Sequence, residues 1–240
     1  MNLLGPFELR PDGGRAIRLP RKAQAMIAFL AMERGRAIPR EQLATLLWGD
    51  NTTEQARQSL RQCLLVIRNT LDPLVGDALQ VDNATVALAA SDRIVLDAAM
   101  FSERRQSDDL HDLKLASSLY RDDFLAGMNV SVEPFERWLD MERQRLFAAR
   151  LELLERLALV QGRSGLNDQA IATARRMVAL DPLREEAHRL LMRLLAGAGE
   201  RGAALVQYQE CERILRHETD PYSVVEEILR AQKLKTGGTI

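Results

Sequence analysis

The 240-residue chain is poor in metal-ligand chemistry, with two cysteines and three histidines. Cys63 and Cys211 lie far apart and have no CxxC partner, which points away from a zinc site and toward a reducing compartment. Cytoplasmic localisation is therefore expected. His111, His188 and His217 show no ligand spacing, so neither a metal nor a cofactor is expected. Aromatic residues are only 5%, while Leu, Ala and Arg abound, which favours helix over sheet. Long apolar runs are also missing. The longest charge-free stretch, Ala23 to Met32, is ten residues, too short to span a bilayer. The first residues do not resemble a secretory signal. What remains is an ordinary globular composition, 46% hydrophobic and 28% charged, at a length suited to one or two domains.

Charge is nearly balanced overall, at a formal net of -1, but unevenly placed. Residues 1–72 hold 11 Lys/Arg against 7 Asp/Glu, an excess of four positive charges, which leaves the remaining 168 residues with 22 against 27. A basic first third ahead of an acidic remainder suggests two domains with different partners.

The basic third reads as strands around helices. Leu3 to Arg10 and Ala16 to Pro20 are strand candidates joined by Pro11-Asp12-Gly13-Gly14, a turn sequence. Ala23, Met26, Ile27, Leu30 and Ala31 recur at helical spacing from about Arg21 to Arg34, before Gly35. Pro39 suits the first turn of a second helix carrying Leu43, Leu46 and Leu47. Thr52-Thr53 offers a cap for a third helix, Glu54 to about Leu71. Beyond Asp72-Pro73, Leu79 to Val81 and Thr85 to Leu88 form a hairpin pattern, and Ile94 to Leu96 is a further strand candidate. Strands, three helices and a hairpin in that order make a winged helix-turn-helix layout.

The third helix carries the sharpest signal. Ala56, Leu60, Cys63, Leu64, Ile67 and Leu71 fall within roughly 60° of one line on a helical wheel, so they make a core face. Arg57, Arg61 and Arg68 share a flank of it, with Gln58 and Leu65 further round. Such a helix can enter a major groove, where Arg binds phosphate or guanine, Gln58 and Gln62 read adenine, and Leu65 touches a thymine methyl. Thr53, in the first turn, joins the candidate DNA-facing set. Arg21 and Lys22 open the first helix and Arg40 the second, where they can hold backbone phosphate. The plainer alternative is a surface helix whose arginines are solvated or paired with acidic neighbours.

Residues 3–98 resemble the OmpR-type winged helix at the front of Streptomyces antibiotic regulatory proteins. The stretches that carry the likeness are Leu4-Gly5-Pro6-Phe7-Glu8, Leu19-Pro20-Arg21-Lys22-Ala23, Glu41 to Trp48 and Ala56 to Leu64. Residues 99–233 are similar to the bacterial transcriptional activator domain that follows it, through Leu119 to Gly127, Phe135 to Leu139 and Ala179 to His188. The resemblance implies a transcription activator that binds double-stranded DNA at direct repeats near a promoter, two chains side by side, and contacts RNA polymerase. One departure is the hairpin tip, Asp82-Asn83-Ala84, which carries no Lys or Arg and so argues against a strong minor-groove contact.

Downstream, Ala116 to Phe124 and Phe135 to Gln161 read as amphipathic helices, the latter opening with Phe135, Trp138, Leu139 and Met141. Leu154-Glu155-Arg156-Leu157 recurs as Leu191-Met192-Arg193-Leu194, and Gly162 and Gly165 recur as Gly199 and Gly202, 37 residues apart. Ala170, Ala174 and Met177 correspond to Ala204, Tyr208 and Cys211 at 34. Two helices per unit near that period suggest tetratricopeptide-like repeats, with Asp181-Pro182 and Asp220-Pro221 stopping successive helices. Such an array serves either as a dimerisation body or as a concave face for a partner. The expected fold is thus mainly α: a winged helix-turn-helix over 1–98 and an all-α tetratricopeptide-like array over 99–240.

Catalytic motifs do not assemble. Gly197-Ala198-Gly199-Glu200-Arg201-Gly202 fits GxGxxG but follows a helical segment, where a dinucleotide site needs a strand. Asp108-Asp109 and Asp122-Asp123 are adjacent, diverge on a helix and read as solvated or helix-starting carboxylates. No nucleophile, base and orienting group come together, so no enzyme is expected. The competing class is a tetratricopeptide-type scaffold whose winged helix serves protein contacts. Salt separates the two, because DNA binding weakens steeply as salt rises.

Overall fold

A computed structural model describes residues 1–89 and 93–219. Contacts divide the chain into two compact units, Met1–Leu153 and Leu154–Ile240. The sequence-based boundary after residue 98 therefore falls inside the first unit.

The first unit is built around α1 (Arg21–Met32), whose Ala23 and Ala25 through Ala31 are all buried. A helix apolar on nearly every side must be surrounded. Gly35, at φ 82°, turns the chain out of it into β1 (Ile38–Pro39). Next, α2 (Arg40–Trp48) buries Leu43, Leu46 and Leu47 as its spacing requires. A capping box opens α3 (Thr53–Val75): the Thr52 hydroxyl accepts from the Gln55 amide, and the Gln55 side chain accepts from the Thr52 amide. This helix runs four residues past its expected end. Pro73 lies in its final turns, where it removes a single ladder bond, and Gly76 at φ 68° closes it. The hairpin of β2 (Leu79–Val81) and β3 (Thr85–Leu88) pairs Val81 with Val86 and Leu79 with Leu88. Ile38 of β1 pairs with Val86 on the other side, giving sheet order β1-β3-β2. A helix, a short strand, two further helices and a hairpin, in that order, make the winged helix-turn-helix.

The expected strands at the N-terminus are reduced to isolated bridges, Asn2 with Glu8 and Leu9 with Ile17. A distant partner and a proline explain this. The Leu3 and Leu4 amides donate to the Asp97 carboxylate at 2.8–2.9 Å instead of to a neighbouring strand, and Pro6 has no amide hydrogen. Ile94 to Leu96 forms no strand either. Its Val95 carbonyl accepts from the Met1 amine at 2.6 Å, and the Asp97 amide donates to the Met1 carbonyl, a pairing too short to make a ladder.

Two short helices, α4 (Asp97–Arg104) and α5 (Leu110–Leu119), follow. Asp109 caps α5 by accepting from the His111 and Asp112 amides. The helix expected over Ala116 to Phe124 stops at Leu119. Tyr120 leaves helical geometry, and Phe124 bridges to Leu4 and Gly5. Arg143, on α6 (Glu133–Arg163), donates to the Phe124 and Leu125 carbonyls at 3.0 and 3.1 Å. Trp138 of α6 packs edge-on to Phe29 of α1, with centroids 5.1 Å apart, and to Phe124 at 5.9 Å. Met141, one of the residues near the start of α6, is 65% exposed.

The second unit takes the last turns of α6 with α7 (Asn167–Leu180), α8 (Glu185–Gly197) and α9 (Arg201–Thr219). Its core joins Leu154 and Ala158 to Ile171, Ala174, Met177, Ala187, Leu190, Leu191 and Leu195. Ala170 and Ala174 are fully buried, as small residues at close helix approaches should be. The repeat is more regular than its sequence suggests. Gly165 and Gly199 both end helices at positive φ, and Leu166 N–H to Gln161 O recurs as Glu200 N–H to Leu195 O, both 2.9 Å. At this turn the period is 34. The alignment of Gly162 and Gly165 with Gly199 and Gly202 at 37 is thereby corrected. Gly199 makes the turn between α8 and α9, Gly202 lies in the first turn of α9, and a helix rather than a strand precedes GxGxxG. His188 is fully buried, bonding the Pro182 carbonyl at 2.8 Å and the Gln207 amide at 2.7 Å. Asp181-Pro182 follows α7 directly, whereas Asp220-Pro221 lies outside the described residues.

Candidate nucleic-acid interface

The core face of α3 is as expected: Ala56, Leu60, Cys63, Leu64, Ile67 and Leu71 are its buried residues. Anchoring by six side chains fixes the rotation of the helix and so determines what it presents outward. Burial pushes the Cys63 thiol up to about 12, so it is an inert core group. On the outer side Arg57, Gln58, Arg61, Gln62, Leu65 and Arg68 are exposed, Leu65 at 59%. A large apolar residue this open on a fixed helix face invites contact. Thr53 is exposed at the start of the helix.

Arg57 donates to the Glu41 carboxylate of α2 at 2.8 Å. Among the described residues, Gln58, Arg61, Gln62 and Arg68 have no such partner. A groove of about 610 Å³ runs between the start of α2, the first half of α3 and the hairpin tip. Its lining includes Arg40, Glu41, Arg57, Arg61 and Asn83. Thus the structure gathers three of the candidate arginines and adds two residues that sequence reasoning did not single out. Glu41 carried a signal, since it sits in the first turn of the helix beside Arg40. Asn83 had none beyond its place in a turn.

The other candidates are held differently. Arg40 donates to the Asp82 carbonyl at 3.1 Å, and its amide to the Ala84 carbonyl at 2.9 Å, which ties the hairpin tip to α2. The Asp82 carboxylate, on the exposed tip, is engaged by its own turn. It accepts from the Ala84 and Thr85 amides and the Thr85 hydroxyl, bonds that lower its pKa. Lys22 is half-buried with its ammonium 5.2 Å from the Trp48 ring centroid, and desolvation lowers its pKa. Arg21 is exposed and donates to the Asn129 carbonyl at 3.3 Å. These two cations lie away from the arginine groove and do not line it.

Among the described residues, no three His, Cys, Asp or Glu side chains cluster to hold a metal, and no helix is long and apolar enough to cross a membrane.

Comparison with known proteins places this geometry. Residues 88–231 match the bacterial transcriptional activator domain. Regulatory protein AfsR of Streptomyces coelicolor is 29% identical over 94% of this chain, which spans only 23% of AfsR. Regulatory protein DnrI of Streptomyces peucetius is 23% identical over 91% of this chain and 85% of DnrI. Among solved structures, Mycobacterium tuberculosis EmbR, in complex with a low affinity phosphopeptide, shares the fold at a TM-score of 0.76 and 20% identity. That match covers 96% of this chain and 64% of the EmbR chain. The chain belongs to the bacterial transcriptional activator domain family.

Proposed function

We propose that the chain is a sequence-specific, non-enzymatic transcription activator of the cytoplasm, with α3 lying in the DNA major groove. One observation carries this reading: α3 is locked by its buried face while Arg57, Gln58, Arg61, Gln62, Leu65 and Arg68 stand exposed beside the hairpin. Arg61 and Gln58 or Gln62 read base edges, Leu65 meets a thymine methyl, and Arg40 and Arg68 bind phosphate. Thr53 contacts the backbone at the helix start. Arg21 and Lys22 are secondary phosphate contacts, because neither lies on α3 or lines the groove beside it. Two chains bind direct repeats near a promoter, as the family resemblance suggests. The second compact unit supplies protein contacts, to RNA polymerase or to a second copy. Leu205, Val206 and Tyr208, each more than half exposed on α9, support such a role.

The test begins by selecting bound duplexes from a random DNA pool. Gel-shift titration of the selected duplex then compares wild type with Arg61→Ala. Loss of a base-edge contact worth about 1–3 kcal/mol should weaken binding roughly 5- to 150-fold. Unchanged affinity in an Arg57→Ala/Arg61→Ala double variant would remove α3 from the interface. Binding that ignores salt would favour the protein scaffold instead.

A further inference from the structure

The groove between α2, α3 and the hairpin tip has three arginines and, among the described residues lining it, a single acid. Glu41 is 79% exposed and accepts from Arg57 at 2.8 Å. An ion pair this open adds little to folding, since water screens it and two long side chains must be held in place. Its placement has a larger effect on binding. A carboxylate in this groove repels any phosphate that approaches Arg40, Arg57 or Arg61. It also occupies one Nη of Arg57, leaving the remaining N–H edge to be directed by the pair. Both residues line the adjoining groove beneath the helix-turn-helix as well, together with Thr53. The negative charge is therefore shared between the two places where backbone phosphate would pass. The neighbouring acid, Asp82, engages its carboxylate in three hydrogen bonds within the exposed tip and is absent from the lining.

We propose that Glu41 is a specificity-determining residue: by pairing with Arg57 it withholds one phosphate contact from arbitrary DNA, and so widens the gap between operator and non-operator binding. This inference rests on the DNA-binding reading above. On non-operator DNA, affinity comes from phosphate neutralisation, so one withheld cation is lost outright. On the operator, Arg57 aimed by Glu41 acts in a fixed geometry, and base-edge contacts compensate.

The experiment uses the full chain, wild type and Glu41→Gln, on two 30-bp duplexes: one selected from a random pool by the wild-type protein, the other its scrambled sequence. Glutamine keeps an acceptor for Arg57 but removes the charge. For scrambled DNA, the slope of log affinity against log salt should steepen by about 0.9, one extra phosphate. That corresponds to about eightfold tighter binding at 0.1 M salt, vanishing toward 1 M. Operator affinity should rise less, so the discrimination ratio falls. A thermal melt should move by no more than about 3 °C, which excludes a structural origin. Unchanged slope and ratio, or equal gains on both duplexes, would overturn the assignment, as would loss of binding to both. Should the wild-type chain bind neither duplex in a salt-dependent way, the DNA reading itself fails and this inference with it.

Discussion

Replacing Asp97 tests how the first compact unit is held together. Its carboxylate, almost fully buried, accepts from three backbone amides: Leu3 at 2.8 and 2.9 Å, Leu4 at 2.9 Å and Ala98 at 2.7 Å. Leu3 and Leu4 are completely buried, so water cannot take over these bonds. Asp97→Ala orphans all three donors at about 1–3 kcal/mol each. Part of this is offset, because burial raises the Asp97 pKa despite the three bonds, so ionisation at this site is itself penalised. A net loss of about 3–5 kcal/mol is expected, a large share of a typical 5–15 kcal/mol. Both tryptophans, Trp48 and Trp138, lie in this unit, so their fluorescence in urea reports it alone. With a slope of about 2–3 kcal/mol/M, the midpoint should drop by about 1–2 M. Asp97→Asn should lose nearly as much, since its NH2 group faces donors. A shift below about 0.3 M at unchanged slope would refute the reasoning.

Further outcomes concern alkaline pH and the repeat core. Burial pushes Tyr120 up to about 12, above its ordinary value of 10.0, and Cys63 up to about 12 from 9.0. Both are acids with raised folded pKa values, so the stability they contribute is present below pH 9–10 and lost as pH climbs toward 12. At pH 11 the 295-nm absorbance of folded wild type and Tyr120→Phe should agree, and a clear difference there would contradict this burial. Ala174→Leu, at a fully buried site on α7, should destabilise the second unit by about 1–3 kcal/mol. Circular dichroism in urea should register it while tryptophan fluorescence stays in place.

What sequence could convey differed by element. The six apolar positions of α3 sit at one helical phase, and all six are buried, because a long amphipathic helix has a single way to meet a core. The hairpin was equally legible from its turn residues. Misreadings came where tertiary partners replaced local ones. Leu3 to Arg10 alternates like a strand, yet its amides are claimed by Asp97, nearly a hundred residues away. Ala116 to Phe124 looks helical, yet Phe124 is drawn to Leu4 and Gly5. The same contacts place residues 99–153 with the winged helix, a grouping that composition and motif boundaries do not encode. Within the candidate interface, residue type revealed the arginines but not their company. Only coordinates bring Glu41 onto Arg57, 16 positions later.

Binding of the first residues by Asp97 and Phe124 also orders events in time. Met1, Leu3, Leu4 and Gly5 are made first, but their partners at Val95, Asp97 and Phe124 are the products of later synthesis. At about 5–20 residues per second, roughly 6–25 s separate residue 4 from residue 124. α3 is complete once Val75 is made, while Leu3, Leu4 and the Trp138-facing side of Phe29 still lack the surfaces that cover them. A growing chain thus carries α3 well before the residues that cover its N-terminal segment and the outer side of α1. A product ending near residue 98 carries every candidate interface residue but lacks Phe124 and Trp138, which pack at Leu4 and Phe29, so its first residues and α1 stay partly uncovered.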